Sequence, residues 1–166
     1  MTIRIAGTVN DSIVDGPGIR FTVFTQGCPH NCRGCHNPQT HDFNGGRDEQ
    51  ISTLVRKINS NPLLDGVTFS GGEPFCQAAA LAQLAGSLDD TLDIMTYTGY
   101  TFEYLLENAD DNNHYMDLLE CTDILVDGRF EIDKMSYELV FKGSSNQRIL
   151  DCKKSLSLKE AQEYIL

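Results

Sequence analysis

The chain has 166 residues, 40% of them hydrophobic, and carries 13 basic against 24 acidic side chains for a net charge of −11. That length suits a single domain, 1–166, with a core of its own, and the acidic balance excludes a nucleic-acid binder, which needs a positive footprint against phosphates. No apolar run reaches bilayer length and the start lacks a long apolar signal region, so neither a membrane span nor export is expected and the chain reads as cytoplasmic.

In chain order, Asp15-Gly16-Pro17-Gly18 reads as a tight turn. The β-rich run Arg20–Thr25 predicts the first strand. Directly after it comes Cys28-Pro-His-Asn-Cys32-Arg-Gly-Cys35, three of the chain's six cysteines within eight residues. Such clustering fits a reducing compartment and a metal centre better than a disulfide scaffold. An iron–sulfur cube normally takes four thiolates, one per iron, so three in one loop would leave an iron open. A closed zinc site fits the same spacing, with His30, His36 or His41 as its fourth ligand.

Ile51, Leu54, Val55 and Ile58 fall at helical spacing, predicting a helix over Glu49–Asn59 with those residues facing the core. The strand Gly66–Ser70 then runs into Gly71-Gly72-Glu73-Pro74, ahead of a helix over Phe75–Ser87. Glycines there permit close approach of backbone to a ligand, and equally an ordinary strand-to-helix turn. The strand Leu92–Thr96 leads to Thr98-Gly99, helices follow over Phe102–Asn108 and His114–Glu120, and the strand Ile124–Val126 leads to Asp127. A strand over Leu139–Lys142, the polar run Gly143–Arg148 and a terminal helix over Leu156–Ile165 complete the chain. Cys76, Cys121 and Cys152 are scattered and read as buried or incidental thiols. Residues 89–123 hold ten Asp or Glu and no Lys or Arg, which suits either a solvated outer face or an acidic docking surface.

Strands alternating with helices predict an α/β fold with a mainly parallel sheet. Cys28, Gly71, Thr98 and Asp127 each follow a predicted strand, so four candidate sites fall on one rim, where parallel α/β folds collect their chemistry.

The cysteine loop followed by the Gly-Gly-Glu motif resembles the radical S-adenosylmethionine superfamily. Val14–Arg20, Tyr97–Tyr100, Val126–Phe130 and Phe141–Arg148 narrow the resemblance to the activating enzymes of anaerobic (class III) ribonucleotide reductases, over about residues 1–150. The resemblance implies a partial, open (β/α)6-type barrel. It implies a [4Fe-4S] cluster on Cys28, Cys32 and Cys35, with S-adenosylmethionine on the open iron. It puts Gly34, Cys35, His36, Gly71, Gly72, Glu73, Thr98 and Asp127 beside the cofactor; His36 stands where many superfamily members carry Tyr or Trp. The implied reaction is reductive cleavage of S-adenosylmethionine and abstraction of hydrogen from a partner glycine, leaving a glycyl radical. The implied partners are the large subunit of the anaerobic reductase and reduced flavodoxin or a similar electron donor, with no nucleic acid and no membrane. Two other readings stay open: an activase of another glycyl radical enzyme such as pyruvate formate-lyase, and a non-catalytic, zinc-stabilised binding module.

Overall fold

Period-two alternation organises the middle of the chain, because successive strand residues face opposite sides of a sheet. In the computed structural model, which describes residues 1–166, four parallel strands pair side by side: β2 (Arg20–Thr25), β4 (Gly66–Gly71), β5 (Asp93–Tyr97) and β6 (Ile124–Asp127). Phe21, Val23, Val67, Phe69, Ile94 and Leu125 join the helices in the main apolar core. Their neighbours Met95, Ile124 and Val126 form a second, smaller cluster with Tyr97, Phe141 and Ile149. Both faces of the parallel strands are therefore covered, as such sheets require.

The helices follow from their apolar stripes. In α1 (Ile51–Asn59) Ile51, Leu54 and Ile58 are buried, with Val55 packed beside them. Then come α2 (Ala78–Gly86), α3 (Phe102–Asn108) and α4 (Tyr115–Cys121), each contributing buried residues to the same core. Phe75–Ser87 is not one continuous helix: Pro74–Gln77 form a 3-10 turn ahead of α2, with the Glu73 carboxylate accepting from the Phe75 N–H at 2.9 Å.

The sheet's edges depart from the sequence expectation. Its order is β3-β1-β2-β4-β5-β6-β7, with β1 (Thr2–Ser12) antiparallel to both β2 and β3 (Arg47–Gln50), and β7 (Arg148–Asp151) antiparallel to β6. This α/β sheet, open at both edges, is the form the expected partial barrel takes. Leu139–Lys142 is not a strand, since Phe141 sits at φ 60°, outside the β region. The last helix is α5 (Cys152–Leu158), capped by the Asp151 carboxylate and ended by left-handed Lys159. Beyond it the chain doubles back, and the Tyr164 N–H donates to the Ile149 carbonyl at 2.9 Å.

Arg20 closes the bottom of the sheet's inner face. Its fully buried guanidinium donates to Thr68 Oγ1 at 2.7 Å, the Pro17 carbonyl at 2.9 Å, the Val67 carbonyl at 3.1 Å and Asp93 Oδ1 at 2.5 Å. Arg20, Gly66 and Asp93 begin three adjacent parallel strands. The segment Val14–Gly18 is thus more than a turn: Thr22 Oγ1 and Thr68 Oγ1 donate to the Asp15 carboxylate and carbonyl, each at 3.0 Å, fixing it against the inner face.

Candidate active site

The cysteine loop leaves the carboxyl end of β2 and is tied to its neighbours by backbone. The Gly27 N–H donates to the Thr40 carbonyl at 2.7 Å and the Cys28 N–H to the His41 carbonyl at 3.1 Å. From the β4 side, the Gly72 N–H donates to the Thr25 carbonyl and the Glu73 N–H to the Gly27 carbonyl, both at 2.8 Å. A Cβ on Gly72 would strike the Gly27 carbonyl oxygen, and one on Gly71, where φ is 93°, would strike the Thr25 backbone. These glycines therefore let the end of β4 lie against the cysteine loop.

One cavity of about 690 Å³ opens at this end of the sheet. Cys28, Cys32 and Cys35 line it together with His36, Gly71, Gly72, Thr98 and Gly99. All three thiols are free and partly exposed. Burial pushes the Cys28 and Cys32 thiols up. The Asn37 N–H donates to Cys35 Sγ at 3.4 Å.

Behind the cavity wall Glu73 is buried, and its carboxylate gathers four donors. His30 Nε2 lies 2.6 Å from Oε1, Thr98 Oγ1 donates at 2.9 Å, the Gly99 N–H at 2.8 Å and the Phe75 N–H at 2.9 Å. His30 belongs to the cysteine loop, Thr98 and Gly99 follow β5, and Phe75 lies in the turn before α2. One carboxylate thus ties together three segments that share no ladder. His30 is sealed between Glu73 and the edge of Tyr100, with ring centroids 4.6 Å apart.

Three expected cofactor contacts lie elsewhere. Glu73 points its charge into this buried network rather than into the cavity. Asp127 is buried and accepts from Arg148 Nη2 at 2.5 Å, Arg148 Nε at 3.0 Å and the Phe102 N–H at 2.8 Å, so its carboxylate caps α3 and holds Arg148. Gly34, at φ 77°, seats Ile132 where its own Cβ would be, and is not part of the cavity lining. His36 does line the cavity, tilted against Phe130 at 5.1 Å between centroids. Sequence reading missed His30 as the partner of Glu73, and Ser70, Gly128 and Phe130 as lining residues. Of the remaining thiols Cys152 is buried, Cys121 partly buried and Cys76 exposed.

The donor set is three thiols around one cavity that His30, His36 and His41 also line. A zinc site needs four such ligands at bonding distance from one atom, whereas a cube spreads one thiolate to each of three irons. Three thiols around one cavity fit the cube.

A protein-family profile described as a 4Fe-4S single cluster domain matches residues 14–150. The anaerobic ribonucleoside-triphosphate reductase-activating protein of Salmonella typhimurium is 33% identical over 144 residues, covering 81% of this chain and 90% of that protein. Its namesake from Vibrio cholerae is 34% identical, covering 82% of this chain and 90% of its own length. The chain belongs to the family of anaerobic ribonucleoside-triphosphate reductase-activating proteins. A pyruvate formate-lyase-activating enzyme from Clostridium pasteurianum is 35% identical over 117 residues, covering 64% of this chain but 49% of that enzyme. The family's own members match along nearly their whole length, and the profile match takes in the cysteine loop, Gly71–Gly72 and Arg148.

Proposed function

We propose that the protein activates the large subunit of an anaerobic ribonucleotide reductase by creating a glycyl radical on it. The observation that carries this reading is the single cavity shared by the three thiols of the loop after β2 and the ends of β4 and β5. Cys28, Cys32 and Cys35 are the residues that would hold a [4Fe-4S] cluster, one thiolate fewer than its irons, so that one iron would stay open for S-adenosylmethionine. When bound, the cluster and S-adenosylmethionine supply one-electron reduction and a carbon radical able to take a hydrogen atom from glycine.

The chain's own groups orient the nucleoside and amino acid parts. The Gly72 and Gly99 carbonyls accept no hydrogen bond from the chain and belong to cavity-lining residues, so they are acceptors for the methionine ammonium. Thr98 and Gly71 supply backbone to the same wall, and His36 presents a planar ring for the adenine side. Glu73 holds these loops in place without touching the ligand. Arg20 closes the far end, so ligands enter from the carboxyl ends of the strands.

Electrons come from reduced flavodoxin or a similar one-electron donor. The protein works in the cytoplasm, where the thiol pools keep its six free cysteines reduced. The test is 5′-deoxyadenosine formation from S-adenosylmethionine by anaerobically reconstituted, chemically reduced protein. Product that vanishes in Cys32→Ala supports the reading. A folded protein that retains zinc and makes no product overturns it in favour of the binding module.

A further inference from the structure

We propose that the strip from Met135 to Phe141 is the docking surface for the polypeptide segment that carries the target glycine. This rests on the proposed function, which requires a polypeptide to enter the cavity. Met135, Ser136, Tyr137, Leu139 and Phe141 line the same cavity as the three cysteines. Anything reaching the cavity past this side must cross them.

The strip is unusually apolar for surface. Tyr137 is 90% exposed, Val140 55% and Met135 37%, and Val14, which lines the cavity too, is 74% exposed. A contiguous apolar lip of this kind marks an interaction surface rather than a solvated one. Its backbone is also unsatisfied: the N–H groups of Tyr137, Leu139 and Val140 donate to nothing in the chain. Free main-chain groups beside apolar side chains suit an extended peptide, recognised through its backbone and through small or apolar side chains. A glycine-bearing segment satisfies that requirement.

The strip is held in shape before anything binds. The Tyr97 hydroxyl donates to the Phe141 carbonyl at 2.6 Å, the Ser145 N–H to the Lys134 carbonyl at 2.9 Å, and the Glu131 N–H to Ser144 Oγ at 3.1 Å. Ordering a surface in advance lowers the entropic cost of binding.

Charge argues for this strip over the acidic one. The strip itself carries one charged side chain, Glu138, and the flanking Asp133, Lys134 and Lys142 bring residues 132–142 to neutrality. Four of the ten acids of the acidic stretch, Glu103, Glu107, Asp117 and Glu120, instead lie on α3 and α4, whose buried residues pack into the core on the sheet's other face. Recognition at the cavity is therefore apolar and weakly dependent on salt.

The test is the dissociation constant between the reconstituted protein and the purified anaerobic reductase large subunit, at low and at high salt. Val140→Asp and Tyr137→Ala should each weaken binding by about tenfold or more, with Tyr137→Phe retaining it and salt changing it little. Unaltered affinity in both variants overturns the proposal, as does an absence of binding by the unaltered protein. Steep loss of binding at high salt or in Glu107→Lys/Asp117→Lys overturns it too, and moves docking to the acidic helices. Partner-free 5′-deoxyadenosine formation by the unaltered protein reports separately on the proposed function, so the two readings fail by different measurements.

Discussion

Glu73 is legible in the sequence as part of a Gly-Gly-Glu-Pro turn, yet its partners are 43, 25 and 26 residues away at His30, Thr98 and Gly99. Local spacing carries no signal for such contacts, which is why the motif suggests a cofactor contact while the fold makes it a clamp. Removing the carboxylate leaves buried donors without an acceptor, so Glu73→Ala should cost about 3–5 kcal/mol, the scale of a broken buried pair. Glu73→Gln keeps one acceptor oxygen and should cost less; urea unfolding of the two variants checks the order. Gly72→Ala is a second test at this scale. Its methyl would meet the Gly27 carbonyl, so the cysteine loop must shift, with an expected cost of about 1–3 kcal/mol and less iron retained per chain after reconstitution. Retention of full iron and stability would contradict the close packing of β4 on that loop.

Among the elements, the parallel strands were readable because apolar residues alternate along each short run and fill the core face, as with Phe21 and Val23 in β2 and Val67 and Phe69 in β4. Phe69→Ala should destabilise by about 3–5 kcal/mol, measured by chemical denaturation, because it empties a fully buried site. The edges were not readable for physical reasons. In β1 the register shifts between Ile5 and Gly7 and again between Val9 and Ser12, which breaks the alternation a sequence pattern depends on. In β3 the residues are Arg-Asp-Glu-Gln, a charged edge that blunts further pairing but looks nothing like a strand. Leu139 and Val140 misled in the opposite direction: they join no ladder, Leu139 lining the cavity and Val140 standing exposed beside it. The junction of β6, α3 and β7 adds a pH dependence. Arg148 beside Glu103 holds that carboxyl below its ordinary value of 4.5. A depressed folded value means stabilisation that is present above about pH 4.5 and lost as pH falls through the folded value. Because Glu103 is half exposed, the effect should be small, about 0.2–1 kcal/mol. Glu103→Gln should lower stability at neutral pH by that amount and converge on the unaltered protein in acid, as thermal melts across pH would show.

At the scale of the whole molecule, the two ends of the parallel sheet do different work. Arg20 seals one end through hydrogen bonds to a hydroxyl, backbone carbonyls and a carboxylate, while the other carries the cysteine loop, the glycine turns and the apolar lip around one cavity. The sequence placed Cys28, Gly71 and Thr98 on that rim from strand order alone, and the structure brings them to it. It could not show that the rim is walled by the strip Met135–Phe141, because that wall depends on the Tyr97 hydroxyl reaching a carbonyl 44 residues further on. The most direct measurement is electron paramagnetic resonance of the anaerobic reductase large subunit after incubation with reconstituted, reduced protein and S-adenosylmethionine. A glycyl radical signal on the large subunit, absent with Cys32→Ala, is the predicted result. A cluster-loaded protein that cleaves S-adenosylmethionine and leaves no radical on the large subunit would contradict the assignment.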